Sequence, residues 1–382
     1  MSTDTGRGVV VVGGGIGGLT AAIALRGMGI EAQILERAPE LREVGAGVGL
    51  WANAIHVFDR LGLGPAVREL GGGRLGGAVA THQGRHLTSQ PAAVLEARWG
   101  APTIAVLRSD LQALLLAALP QETIALGVEV TDLKLGSGQV ELSLRGGEII
   151  GADLVVGADG LRSVVRAHLL GEDPPRYRGY TAWRGVAPPG TARLDGASEL
   201  WGRGERFGLM PARDARVVWY ASANVPEGSR GLDGEREELL GRFGAWPDPI
   251  PAVLQAMPEE RIVRNDVYDR PVTRRWVSRQ VALLGDAAHP MTPDLGQGAC
   301  QAIVDAWVLA DSIRRGDNTK DALEEYERRR WRTAAIATVF ARTLGRVGQW
   351  EHPVACRLRD EVMRATPLAF QLWPLDAVMR AG

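Results

Sequence analysis

Residues 8–37 read GVVVVGGGIGGLTAAIALRGMGIEAQILER, and the order of residue types in this stretch decides the fold. Val9 to Val12 are consecutive β-branched residues without polar alternation, as a parallel strand covered on both faces requires. Gly13, Gly15 and Gly18 then form GxGxxG. The first glycine makes a tight turn, the second admits a pyrophosphate close to the backbone, and the third lets helix and strand pack closely. The spacing predicts a helix over about residues 16–28, stopped by Gly27 and Gly29, with its N-terminal amides aimed at the anion. Residues 32–35 form the next strand. Glu36 ends it, 21 residues after Gly15, where an acid accepts hydrogen bonds from ribose hydroxyls; a solvated loop acid is the alternative. The unit is a Rossmann-like dinucleotide site that does not by itself separate NAD from FAD.

The rest of the 382-residue chain bounds what this site serves. Its length calls for about two domains or one large α/β unit. A net charge of −1 leaves no global field for nucleic acid or an anionic membrane. Two cysteines, Cys300 and Cys356, make no disulfide framework, which points to a reducing cytoplasm. Residues 9–25 are too glycine-rich for a signal peptide, and no apolar run reaches the roughly 18 residues of a membrane span. No nucleic-acid partner or stable membrane association is expected, and the protein is expected to be a monomer or homodimer. His82 and His86, spaced by four, have no further ligands nearby in sequence, so no metal is proposed.

Two further junctions share the strand–loop–helix grammar of the first. In GADLVVGADGLRSVVR, residues 151–166, a strand over 154–156 leads to Asp159-Gly160 and a helix from about Ser163. In LLGDAAHPMTPDLGQGACQAIVDA, residues 283–306, a strand over 281–284 leads to Gly285-Asp286, a long loop, and a helix over about 298–313. Connections are commonly only about 4–6 residues, so a loop carrying an aspartate, two prolines and Gly296-Gln297-Gly298 has something to hold.

GxGxxG, the Asp-Gly motif followed by Ser and Arg, and Gly-Asp-Ala-Ala-His-Pro before Gly-Gln-Gly together resemble the class A flavoprotein monooxygenases. These are single-component FAD-dependent hydroxylases related to p-hydroxybenzoate and salicylate hydroxylases, with the urate hydroxylase and zeaxanthin epoxidase-like branches nearest. RSDLQALL at 108–115 and GAGVGLWANA at 45–54 add to the likeness, which covers essentially the whole chain. It implies FAD as cofactor, NADH or NADPH bound transiently, and dioxygen with a small-molecule substrate. It also implies hydroxylation of an aromatic or heteroaromatic ring through a flavin C4a-hydroperoxide. Epoxidation of an isoprenoid or other alkene, or a non-oxygenating flavin reductase, are the alternatives. The implied domains are a discontinuous FAD-binding domain (1–70, 101–175 and 276–345), a mainly β substrate domain (71–100 and 176–275), and a C-terminal helical segment (346–382) over the substrate entrance.

Residue roles follow from the same resemblance. Asp286 is expected at the ribityl–pyrophosphate region, and Gly296, Gly298 and Ala299 against the isoalloxazine, where a β-carbon would collide. Arg37 and Val48 join the cofactor set. Asp159 is either a flavin- and nicotinamide-linked aspartate or a helix cap. Arg108 is either a flavin contact or a surface ion pair, and Arg42 is open between site and solvent. His289 and Cys300 are assigned structural roles. In the middle of the chain, SELWGRGERFGLMPA and ARVVWYASANVPEG read as two strands joined by a turn at 212–215. Arg206 and Tyr220 on them are candidates to reach the substrate cavity, with rim positions as the alternative. Asp294, before the glycines, is either the base that activates substrate or a loop-shaping residue.

Overall fold

A computed structural model describes residues 8–41, 47–136 and 138–379, so Arg42 lies outside the described residues. The valine run is the strand Val9–Val12, with all four residues buried. It sits near the middle of a six-stranded sheet ordered Val277–Ser278, Val281–Leu283, Leu154–Gly157, Val9–Val12, Ala32–Glu36 and Ile124–Leu126. The ladders are parallel except at the Val277–Ser278 edge. The three strands that open the three glycine-bearing junctions are therefore hydrogen-bonded neighbours. Their C-terminal ends converge on one edge, where open α/β sheets bind ligands.

The helices Ile16–Gly27 and Gly298–Arg315 pack against each other beside this sheet. Gly17 permits it, since a β-carbon there would lie 2.8 Å from the Leu284 side chain and 3.1 Å from Ala302. The helix Thr319–Gly348 packs outside Gly298–Arg315 and buries Leu323, Tyr326, Ala334, Ala337 and Ala341.

The second layer is a seven-stranded mixed sheet ordered Val263–Asp269, Arg176–Ala187, Val217–Ala223, Glu205–Pro211, Ala197–Trp201, Gly77–Thr81 and His86–Gln90. Strands from 77–90 thus complete the sheet made by 176–269. The helix Ala92–Trp99 behaves differently, sending Leu95 and Trp99 into the core of the first sheet. One face of the seven-stranded sheet packs Trp183, Phe207, Leu209 and Trp219 against the helices Glu235–Phe243 and Ile250–Gln255. By the two-residue period of strands, the other face carries Glu199, Arg206, Tyr220 and Ser222.

The two strands expected between 198 and 225 are three. Gly202 and Gly204 (φ +70°) turn the chain so that Ala197–Trp201 pairs antiparallel with Glu205–Pro211. The Gly202 amide closes this hairpin on the Glu205 carbonyl at 2.7 Å. The turn is the stretch Gly202-Arg203-Gly204, two glycines flanking an arginine, and it was read through as strand. The long helix also crosses the 345/346 boundary, and the last helix, Leu368–Met379, buries Leu372, Leu375 and Val378 in the first core. Trp350 and Trp373 are exposed rather than core anchors, Trp350 standing on the cavity wall.

Candidate active site

At the first junction Gly13 turns with φ +107°, and a β-carbon there would meet the Ala158 carbonyl at 2.5 Å. The first motif is packed directly on the second. Glu36 Oε2 accepts the Gly14 amide at 2.6 Å and Oε1 accepts the Ala38 amide at 2.8 Å, which holds the carboxylate beside the helix N-terminus. Arg37 follows it on the cavity wall.

At the second junction Ser163 caps the helix Val164–Leu170 by accepting the Arg166 amide at 2.8 Å. Asp159 Oδ2 accepts the Val164 amide at 2.7 Å, while Oδ1 is buried with no hydrogen-bond partner. The capping role and an unfilled polar demand therefore coexist in one side chain, and burial raises its carboxyl above the ordinary range. Arg166 donates to the carbonyls of Ala287 (2.9 Å) and Ala288 (2.8 Å), tying the second junction to the third.

At the third junction Asp305 organises the loop. It accepts the Gly285 amide at 2.9 Å, Arg330 Nε at 2.6 Å, and pairs with His289 Nε2 at 2.6 Å. Burial would raise Asp305, but His289, Arg330 and the amide outweigh it and hold the carboxyl down at about 2. His289 is accordingly part of a buried structural network. Asp286 instead projects into the cavity; desolvation raises its carboxyl against the opposing charges of His289 and Arg108. Cys300 packs under Gly49 and Trp51, and burial pushes its thiol up to about 12, which leaves it inert at neutral pH.

These groups line one cavity of about 1610 Å³, running from Glu36 past Val48, Arg108, Asp159, Asp286, Gly298 and Ala299 to Arg206 and Tyr220. Single-ligand pockets are typically about 300–1000 Å³, so this one has room for a long cofactor and a second molecule. A β-carbon at Gly15 would have nothing within 4 Å, and one at Gly298 only Asp286 Oδ1 at 3.9 Å. Gly296 (φ +63°) faces the same space beside Trp51. These open cradles, with the orphaned Asp159 oxygen, leave the space and the polar demand that FAD would fill. Among the described residues no group of three or more His, Cys, Asp or Glu is placed to hold a metal. His82 lies against Trp246 and His86 pairs with Ser89.

The far end of the cavity is roofed by a charged network. Arg206 is buried and donates to Asp294 Oδ1, to Glu199 Oε1 at 3.4 Å and to Gln349 Oε1 at 3.1 Å. Tyr180 donates to Asp294 Oδ2 at 2.5 Å, so both oxygens of Asp294 are engaged. The strand register sets Glu199 opposite Gly208, and Gly208 opposite Tyr220. Because Gly208 has no side chain, the Tyr220 ring lies over it, on the side of Glu199. Gly345 and Gly348 of the long helix close on Asp294 and Arg206, where a β-carbon would meet them at 3.0 Å or less. Sequence reasoning missed Glu199, Tyr180 and Gln349. Alternation along SELW could have found Glu199, which shares its strand face with Trp201; nothing local marks the other two.

A family model described as an FAD binding domain matches residues 7–341. The chain is 43% identical to the aurachin C monooxygenase/isomerase of Stigmatella aurantiaca, over 94% of each chain. It is 32% identical to the 2-heptyl-3-hydroxy-4(1H)-quinolone synthase of Pseudomonas aeruginosa, also over 94% of each. The crystal structure of Klebsiella pneumoniae HpxO complexed with FAD and uric acid superposes with a TM-score of 0.92 at 29% identity, covering 99% of this chain and 98% of that one. With the junctions, cradles and cavity in place and this likeness spanning the whole chain, the protein belongs to the FAD-dependent class A flavin monooxygenases.

Proposed function

We propose that the substrate is a fused nitrogen heteroaromatic bearing a ring N–H and a ring carbonyl, hydroxylated at an electron-rich carbon with NADH or NADPH and dioxygen as cosubstrates. The observation that carries this reading is the roof of the cavity. Arg206, Glu199 and Tyr220 present a donor and acceptor edge, and Ser222 Oγ is buried on the same face without a partner. A molecule with a ring N–H and a ring C=O offers a donor and an acceptor to that edge, and both groups occur in uric acid and in a 4(1H)-quinolone, named for two of the relatives. An isoprenoid alkene has no group for these charges and would leave them desolvated at a cost.

In this reading FAD, when bound, supplies the redox and oxygen-activating chemistry. Glu36, Gly13, Gly15 and Gly18 serve its ADP portion, while Arg37, Val48, Arg108, Asp159 and Asp286 flank it and Gly296, Gly298 and Ala299 face its ring. The protein positions the substrate and excludes water. Arg206 and Tyr220 hold its polar edge. Asp294, with both oxygens taken and its side chain 0% exposed, orients Arg206 rather than acting as a free base. The C-terminal helices border the cavity mouth through Leu358, Val362 and Leu375.

The test is aerobic oxidation of NADH and of NADPH in the presence of 2-heptyl-4(1H)-quinolone, 4(1H)-quinolone and uric acid, with oxygen uptake and product mass. Stimulated oxidation with a product heavier by one oxygen atom is expected for at least one of them. Cofactor oxidation that yields only hydrogen peroxide with all three would overturn the substrate class.

A further inference from the structure

Arg206 stands between two carboxylates, yet only one is free to act on a substrate. Asp294 is closed off by Arg206 and Tyr180, with no side-chain exposure. Glu199 keeps 20% of its side chain exposed, on the cavity wall, and its contact with Arg206 is the longer one at 3.4 Å. The adjoining strand Gly77–Thr81 sets the uncharged Val79 beside Glu199, so no second cation neutralises it from that side. The charged and titratable groups that face it are Arg206, Tyr220 and Asp294.

We infer that Glu199 is the base that removes the ring N–H proton of the substrate. The inference rests on the heteroaromatic reading above. In the step, the substrate N–H bond breaks and an O–H bond forms on Glu199. The nitrogen electron pair delocalises into the ring and raises electron density at the carbon that takes oxygen; reverse transfer returns the proton to the product nitrogen. Arg206, 3.4 Å away, stabilises the negative charge as it moves from Glu199 to the substrate. The Tyr220 ring, lying over Gly208 opposite Glu199, limits the directions open to the carboxylate. Burial lifts the Glu199 carboxyl above the ordinary range, a shift that Arg206 opposes, and a base with a raised pKa is better matched to neutral pH.

The experiment compares the wild-type holoenzyme with Glu199→Gln and Asp294→Asn, using 2-heptyl-4(1H)-quinolone and its N-methyl analogue as probes. For the N–H probe, wild-type kcat/KM should fall on the acid side as Glu199 protonates, and Glu199→Gln should lose roughly 10²–10⁴-fold at neutral pH with that acid limb gone. The N-methyl probe, having no proton to give, should show no acid limb in the wild type and no added loss in Glu199→Gln. Asp294→Asn should raise KM and keep the limb. Turnover of the N–H probe by Glu199→Gln within twofold of wild type overturns the assignment and leaves the substrate class standing. Should that variant fail to retain FAD, the wild type decides alone: an acid limb that persists with the N-methyl probe overturns it. Failure of the wild type on every heteroaromatic offered overturns both.

Discussion

Gly15 and Gly18 belong to one motif, yet substitution by alanine should break the protein in two different ways. Gly15 has φ −71° and ψ 179°, a conformation open to alanine, and its added methyl would meet no protein atom within 4 Å. The only thing it can obstruct is the cofactor. Overpacking a close contact costs about 1–3 kcal/mol, and about 1.4 kcal/mol is tenfold in affinity, so FAD should bind roughly 5- to 150-fold more weakly to Gly15→Ala. The apoprotein should lose no stability, because alanine also restricts the unfolded chain. Gly18 is the opposite case. Its β-carbon would fall well under 3.0 Å from the Gly13 carbonyl oxygen, inside the protein itself. Gly18→Ala should destabilise the apoprotein by about 1–3 kcal/mol, a fall in Tm of about 2–6 °C at roughly 2 °C per kcal/mol for a large chain. Flavin fluorescence titration gives the first quantity and calorimetry of flavin-stripped protein the second. Wild-type FAD affinity in Gly15→Ala, or a lowered apoprotein Tm for it, would refute the assignment of that space to the pyrophosphate.

Two further outcomes are expected. Because the Asp305 carboxyl is held at about 2 against an ordinary 3.8, its depressed pKa contributes about 2 kcal/mol of stability above pH 4, lost as pH falls from about 4 to 2. Asp305→Asn should flatten that part of the urea-unfolding pH profile and, by leaving Arg330 buried and unneutralised, cost about 3–5 kcal/mol at pH 7; a loss under 1 kcal/mol would remove Asp305 from its central place. Gly208→Ala should keep FAD but displace Tyr220, whose ring occupies that β-carbon's position. Misplacement by about 1 Å can cost roughly 100-fold in turnover, and a kcat/KM within threefold of wild type would show that Tyr220 does not position substrate.

The sheet that carries the cofactor end was legible because its signals are local. Four buried valines, a glycine turn, a helix and a terminal acid lie within residues 8–37, and each can be read from a neighbour a few positions away. The same holds for Cys300, placed at a helix start in an apolar stretch; His289 was read as structural from the motif resemblance, and Asp305 as its partner was not read at all. Asp159 shows the limit of such reading. Capping and site roles were weighed as alternatives, whereas one oxygen caps the helix and the other stays buried without a hydrogen-bond partner, so capping does not exhaust the carboxylate.

The roof depends on contacts that no local pattern encodes. Arg206 and Asp294 are 88 residues apart, and Tyr180 is 114 from Asp294; each side chain alone resembles a solvated residue. Their meeting depends on the Gly202–Gly204 turn, which was read through as continuous strand. Without that turn Arg206 could not stand opposite Trp201, nor Gly208 opposite Glu199. The missed hairpin and the missed acid are one omission. Register also explains why Asp294, rather than Glu199, stood out beforehand: Asp294 lies in a motif that can be recognised along the chain, while Glu199 acquires its place only when three strands are laid side by side. The carboxylate that a motif makes conspicuous has both oxygens engaged by Arg206 and Tyr180, while the inconspicuous one beside it keeps part of its side chain exposed on the cavity wall.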